Sequence, residues 1–99
     1  MTIDEVKGDS SVQLNVHGRV DTMTSTEFQN AILKAFQKSS NVIIEMSDVP
    51  YISSAGLRGL MIGAKTAKSK GGRFTMINVT APVLDILRVT GLDKALTIQ

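Results

Sequence analysis

The chain has 99 residues, 42% of them hydrophobic, with 11 Lys and Arg against 9 Asp and Glu for a net charge of +2. That length holds one compact domain, residues 1–99, and the interspersed, nearly balanced charges exclude a disordered tail and give no case for direct nucleic-acid binding. No cysteine occurs, which excludes disulfides, thiol catalysis and thiolate metal sites. The opening Met1-Thr2-Ile3-Asp4-Glu5 is not a signal peptide and no apolar run approaches ~18 residues, so a cytoplasmic protein without membrane insertion is expected.

Along the chain, Thr2–Lys7 reads as a short strand that turns at Gly8-Asp9-Ser10 into a second one. There Val12, Leu14 and Val16 alternate with Gln13, Asn15 and His17, the period-2 pattern of a half-buried strand. Thr24 and Glu27 have the spacing of a capping box. Phe28, Ile32, Leu33 and Phe36 then place an amphipathic helix over about Ser25–Lys38. Residues 42–46 form an almost continuous apolar run, as in a strand covered on both faces. A helix follows the pair Ser53-Ser54, with Leu57, Leu60, Met61 and Ala64 on one face and Gly56, Gly59 and Gly63 within it. Three helix-weakening glycines point to close approach to the sheet or to a partner, with plain packing the first expectation. Lys65, Lys68, Lys70 and Arg73 cluster near its end and read as solvated cations beside a helix C-terminus.

Gly71-Gly72 stops that helix, and Arg73–Asn78 makes the next strand. Thr80 is positioned to cap a third helix with Pro82 in its first turn, Val83, Leu84, Ile86 and Leu87 on its apolar face and Gly91 at its end. Leu96-Thr97-Ile98 adds a short edge strand. The alternation specifies an α/β domain with right-handed crossovers.

Catalytic constellations are missing. His17 is the one histidine and lies on the polar side of a strand, so it reads as a surface residue. The carboxylates are scattered singly, without the pairing of general acid–base sites. There is no phosphate loop and no Gly-x-Gly-x-x-Gly. No tryptophan and one tyrosine leave no stacking platform for single strands. No cofactor, metal site or enzymatic activity is expected. What stands out is Ser53-Ser54 at a strand-to-helix turn, where free helix-start N–H groups and the positive end of the dipole meet. A hydroxyl there is placed to receive a phosphate, with no nearby base to make it a nucleophile.

Ile52-Ser53-Ser54-Ala55-Gly56-Leu57-Arg58, after an apolar strand and ahead of a glycine-bearing helix, resembles the signature of STAS domains. More narrowly it is similar to the stand-alone anti-sigma factor antagonists of bacterial partner-switching systems. Gly18-Arg19-Val20-Asp21, Gly71-Gly72-Arg73-Phe74 and the Val83–Leu92 helix ending in Gly-Leu match further family segments, so the resemblance spans nearly the whole chain. It implies a central mixed sheet with helices largely on one face. It also implies that the unphosphorylated protein binds an anti-sigma factor that is a serine kinase of the histidine-kinase-like ATPase type, releasing its client. Phosphorylation of one serine blocks binding, and a PP2C-type phosphatase restores it. Alignment onto the family's Asp-Ser-Ser/Thr-Gly-Leu makes Ser54 the acceptor, with Ser53, standing where aspartate is common, as the alternative. Asp21, Thr22, Ser53, Ser54, Gly56, Leu57 and Arg58 are the expected partner-binding residues. The Ser-Ser-Ala-Gly-Leu-Arg form also fits a non-phosphorylated STAS subunit packing on an ABC transporter ATPase of the phospholipid-transport type.

Overall fold

The structure, a computed structural model, describes residues 1–99. Strands β1 (Thr2–Lys7) and β2 (Val12–His17) form a hairpin, followed by helix α1 (Ser25–Lys38), β3 (Asn41–Asp48), α2 (Ser54–Lys70), β4 (Arg73–Ile77) and α3 (Ala81–Val89). A 3₁₀ turn at Leu92–Lys94 leads into the two-residue β5, Thr97–Ile98. The sheet order is β1-β2-β3-β4-β5, antiparallel for the first pair and parallel thereafter.

That order fixes the layering. Each crossover moves one strand further in the same direction, and right-handed crossovers that never reverse direction keep their helices on one face of the sheet. Burial follows. On β2, Val12, Leu14 and Val16 are buried while Gln13, Asn15 and His17 are half-exposed. On β3, Val42, Ile44 and Met46 are buried, but Ile43 and Glu45 are not. The apolar run of β3 therefore predicted two covered faces where only one exists. An unbroken run raises apparent hydrophobicity without saying which side a helix occupies, and strand order decides that.

The core unites the buried sheet face with Phe28, Ile32 and Phe36 of α1, Leu57 and Leu60 of α2, and Val83 and Leu87 of α3. Each fully buried side chain of this size contributes roughly 1.5–3 kcal/mol by removal from water. Phe36 and Phe74 meet with ring centroids 5.9 Å apart and tilted, tying α1 to β4. The Lys70 ammonium donates to the Phe36 carbonyl at 2.7 Å, satisfying an acceptor that the end of α1 leaves open.

The glycines of α2 act as the sequence implied. A Cβ on Gly63 would lie 2.7 Å from the Phe74 ring, and one on Gly56 would lie 2.6 Å from Ile52 Cγ1 and 2.8 Å from Val20 Cγ1. Two predicted caps are not formed. Thr24 stands at the start of α1 without a side-chain cap bond, and its hydroxyl is engaged instead with Asp21 and Arg19. Thr80 likewise makes no cap, because its hydroxyl donates to the Val49 carbonyl at 2.7 Å. In both places bonds to other segments orient the hydroxyl away from the helix-start N–H groups that its oxygen would otherwise accept from.

Candidate functional site

Two loops leave the same end of the sheet. One follows β2 and runs through Gly18-Arg19-Val20-Asp21; the other follows β3 and runs through Val49-Pro50-Tyr51-Ile52-Ser53. Gly18 N–H donates to the Asp48 carbonyl at 2.9 Å, Val20 N–H to Tyr51 at 3.0 Å, and Ser53 N–H to Val20 at 2.8 Å. These bonds, with a parallel bridge between Val20 and Ile52, extend the β2–β3 pairing past both strand ends. The Arg19 guanidinium lies over the Tyr51 ring at 4.4 Å, a cation–π contact on the outer side of the same junction. Asp21 and the serine pair, 32 positions apart in the chain by their numbering, are thereby each brought next to one bridge.

The two serines have separate tasks. Ser53 is extended at φ −89°, ψ 173° and its Oγ accepts from Gly56 N–H at 3.3 Å, capping α2, while its carbonyl accepts from Leu57 N–H at 2.9 Å. Ser54 opens the helix, is exposed, and its hydroxyl has no hydrogen bond within the protein. The first-turn N–H groups of Ser54 and Ala55 have no intrahelical acceptor. Small packed residues below make this possible: Gly56 allows Ile52 and Val20 to close under the turn, and Leu57 is buried. Gly56 and Leu57 were expected at the partner surface and instead form the floor of the turn. A helix that begins just after the Val20–Ile52 bridge turns its third and fourth residues, Gly56 and Leu57, inward.

Asp21 is anchored by one oxygen. Its Oδ1 accepts from the N–H groups of Met23 (3.0 Å) and Thr24 (3.2 Å), and the Thr24 hydroxyl lies 3.2 Å away. Partial desolvation pushes this carboxyl upward; those three hydrogen bonds and the Arg19 charge outweigh it and hold its pKa below the ordinary aspartate value. Asp21 is thus charged, and its hydrogen bonds within the protein all use Oδ1. Thr22 beside it and Arg58, one turn along α2 from Ser54, are both exposed.

Sequence reading missed three participants. Arg19 and Tyr51 join across a contact that no spacing encodes. The third is His17, which the fold places between Asp48 and Asp4, with Nδ1 to Asp48 Oδ2 at 2.9 Å and Nε2 to Asp4 Oδ2 at 3.2 Å. The Asp48 hydrogen bond leads the causes that raise the imidazole pKa above 6.5; burial opposes it, and Asp4 adds to it. Carboxylates only accept, so satisfying both ring nitrogens requires the doubly protonated ring. This clasp joins β1, β2 and β3 at the roots of both loops. Glu45, held below the usual glutamate value against its own desolvation by Asn78 and Ser47, lies near enough to feel the His17 charge.

No three His, Asp or Glu side chains converge as a metal site, and no helix is long and apolar enough to cross a membrane. The two largest grooves, about 580 and 560 Å³, are lined by residues of β1, β2 and α1 and of α2, β4 and the C-terminus, respectively, and neither includes a residue of the serine turn. The serine turn thus lies outside both grooves and offers a surface for a macromolecular partner rather than a small-molecule cleft.

The family model described as "Mlab, STAS domain" matches residues 3–98. The anti-sigma-B factor antagonist of Bacillus subtilis (strain 168) is 23% identical over 100 residues, covering 100% of this chain and 91% of that protein. Among solved structures, an anti-sigma factor antagonist from Mycobacterium paratuberculosis superposes with a TM-score of 0.86 at 22% identity, covering 98% of this chain and 83% of that one. The Bacillus cell-fate determinant SpoIIAA in its phosphorylated form gives 0.75 at 13% identity, covering 99% and 91%. A sheet ordered β1 to β5 with its helices on one side, and a family match over almost every residue, place this chain in the STAS-domain family.

Proposed function

We propose that this protein is an anti-sigma factor antagonist, a non-enzymatic binding module switched by phosphorylation of Ser54. The observation that carries the reading is the division between the serines: Ser53 is committed to the helix cap, whereas the Ser54 hydroxyl is exposed and free at the helix start. The named relatives, among them a phosphorylated SpoIIAA, support it. In its unphosphorylated state the turn binds an anti-sigma factor of the histidine-kinase-like serine kinase type through Asp21, Thr22, Ser53, Ser54 and Arg58, with Gly56 and Leu57 supporting from beneath. A PP2C-type phosphatase resets the cycle.

The switch follows from local electrostatics. A phosphate adds about −1.5 to −2 charges. The fold tolerates it because the dipole and free N–H groups of α2 attract it. A partner surface shaped to meet a neutral hydroxyl beside the charged Asp21 does not. A penalty of about 3 kcal/mol weakens binding more than 100-fold.

Intact-mass analysis of wild type and Ser54→Ala from the native host tests the assignment. The expected result is a phosphate-sized adduct in the first and none in the second. An adduct persisting in Ser54→Ala moves the site to Ser53. No adduct under any growth condition, with an ABC transporter ATPase co-purifying, replaces the reading with the transporter-subunit one.

A further inference from the structure

The outward face of α2 carries charge that helix stability does not explain. Its 17 residues include Arg58, Lys65, Lys68 and Lys70 and no acid. Helical periodicity puts Ser54, Arg58, Ile62, Lys65 and Lys68 on one stripe, with Met61 at its edge and packed against the core, opposite the buried Gly56, Gly59, Leu60, Gly63 and Ala67. Lys68 and Lys70 lie in the last turn and complement the dipole, but Arg58 stands in the first turns, where a cation opposes it, and Lys65 lies between the ends. Neither has an acidic residue three or four positions away, and Lys65 and Lys68 repel each other. The ion pairs of the protein are His17 with Asp4 and Asp48 and Lys38 with Glu5, so all three stripe cations are unpaired and exposed.

We infer that this stripe is a second docking surface for the partner that reads Ser54, and that it receives an acidic face of that partner. The inference rests on the proposed switch at Ser54, with which the stripe is continuous. At about 1.5 Å per residue it extends the contact about 21 Å along α2, from Ser54 to Lys68. Half-exposed Ile62 between the cations, with the part of Met61 that the core leaves uncovered, supplies the apolar centre, and the cations the rim, that protein interfaces combine. An anionic membrane is the poorer occupant. A surface-lying helix needs a broad apolar face with aromatic anchors, and the outward residues of α2 offer two half-buried aliphatic side chains. Phosphorylation of Ser54 adds negative charge at one end of the stripe, within one turn of Arg58, so it weakens the acidic partner's attraction as well as blocking the turn.

The test uses the full-length protein and the anti-sigma factor kinase that its unphosphorylated form retains, purified and measured by surface plasmon resonance at several salt concentrations. The variants are Lys65→Glu/Lys68→Glu, Lys65→Arg/Lys68→Arg and Ser54→Asp, each checked for folding by circular dichroism. The expected result is at least tenfold weaker binding for the charge reversal, chiefly through a slower on-rate with a flatter salt dependence, and wild-type affinity for the arginine pair. Binding within twofold of wild type for the reversal, while Ser54→Asp abolishes it, overturns the stripe and leaves the serine switch standing. Binding by no such kinase, or equal binding of wild type and Ser54→Asp, overturns the switch and the stripe with it. Reversal-sensitive binding to phosphatidylglycerol vesicles, with kinase affinity unchanged, reassigns the stripe to a membrane and also overturns the inference.

Discussion

The inward and outward faces of α2 are made from the same seventeen residues and obey different rules. Inward, an added Cβ would lie under 3 Å from Ile52 and Val20 at Gly56 and from Phe74 at Gly63, and 3.1 Å from Phe28 at Gly59. Outward, Ser54, Arg58, Lys65 and Lys68 touch nothing that holds them. Shape is specified on one side and charge on the other. Substitutions on the first face should act on stability and leave recognition to follow; those on the second should act on recognition alone.

The sharpest way to break that division is Leu60→Ala, which removes a fully buried side chain and is expected to cost about 2–5 kcal/mol in urea unfolding. A cost under 1 kcal/mol would mean the inward face is loosely packed. Gly56→Ala comes next. Its new methyl meets Ile52 and Val20 below 3 Å, and overpacking of about 1–3 kcal/mol is offset in part by up to about 1 kcal/mol of helix propensity. A stabilised Gly56→Ala protein would show that the turn relaxes freely. At the boundary between faces, Ser53→Ala should lose about 1 kcal/mol through its cap, and Ser54→Ala should stay within about 0.5 kcal/mol of wild type. Equal losses would erase the distinction between the serines on which the acceptor assignment depends.

The smallest effect concerns the sheet face that no helix covers, where His17 is clasped by Asp48 and Asp4. Its folded pKa is raised, so its contribution to stability is fully present below the unfolded value of about 6.5 and is lost as pH rises through the folded value. Urea midpoints of wild type and His17→Gln should differ most below pH 6 and converge in alkaline solution. The opposite trend, a gap widening as pH rises, would mean the imidazole is neutral in the fold. Because these groups are solvent-exposed, the difference will be modest and will shrink with added salt.

Much of this was legible beforehand. Period-2 alternation located β2, helical spacing located α1 and α2, and Gly71-Gly72 ended α2 as expected, with Gly71 left-handed at φ 66° and Gly72 N–H reaching back to Ala67. The serine turn was visible because a strand run, two hydroxyls and a glycine-bearing helix are adjacent in the chain. The caps at Thr24 and Thr80 did not form because bonds to Asp21, Arg19 and Val49 turn each hydroxyl oxygen away from the helix-start N–H groups. Asp21, rather than Thr24, ties the turn before α1 through the N–H groups of Met23 and Thr24. The His17 clasp was invisible for a related reason: Asp4, His17 and Asp48 come from three strands, and only pairing brings them together.

Sequence alone determined the elements, their order and the identity of the exposed serine turn, because local periodicity and helix-end chemistry act over a few residues. Tertiary structure decided which face of β3 is covered, which serine is committed to the cap, and that Asp21 and the serine pair flank one Val20–Ile52 bridge. Those outcomes depend on strand order and on hydrogen bonds between segments some thirty residues apart. Such partners compete across the whole fold, and their competition has no local signature in the chain.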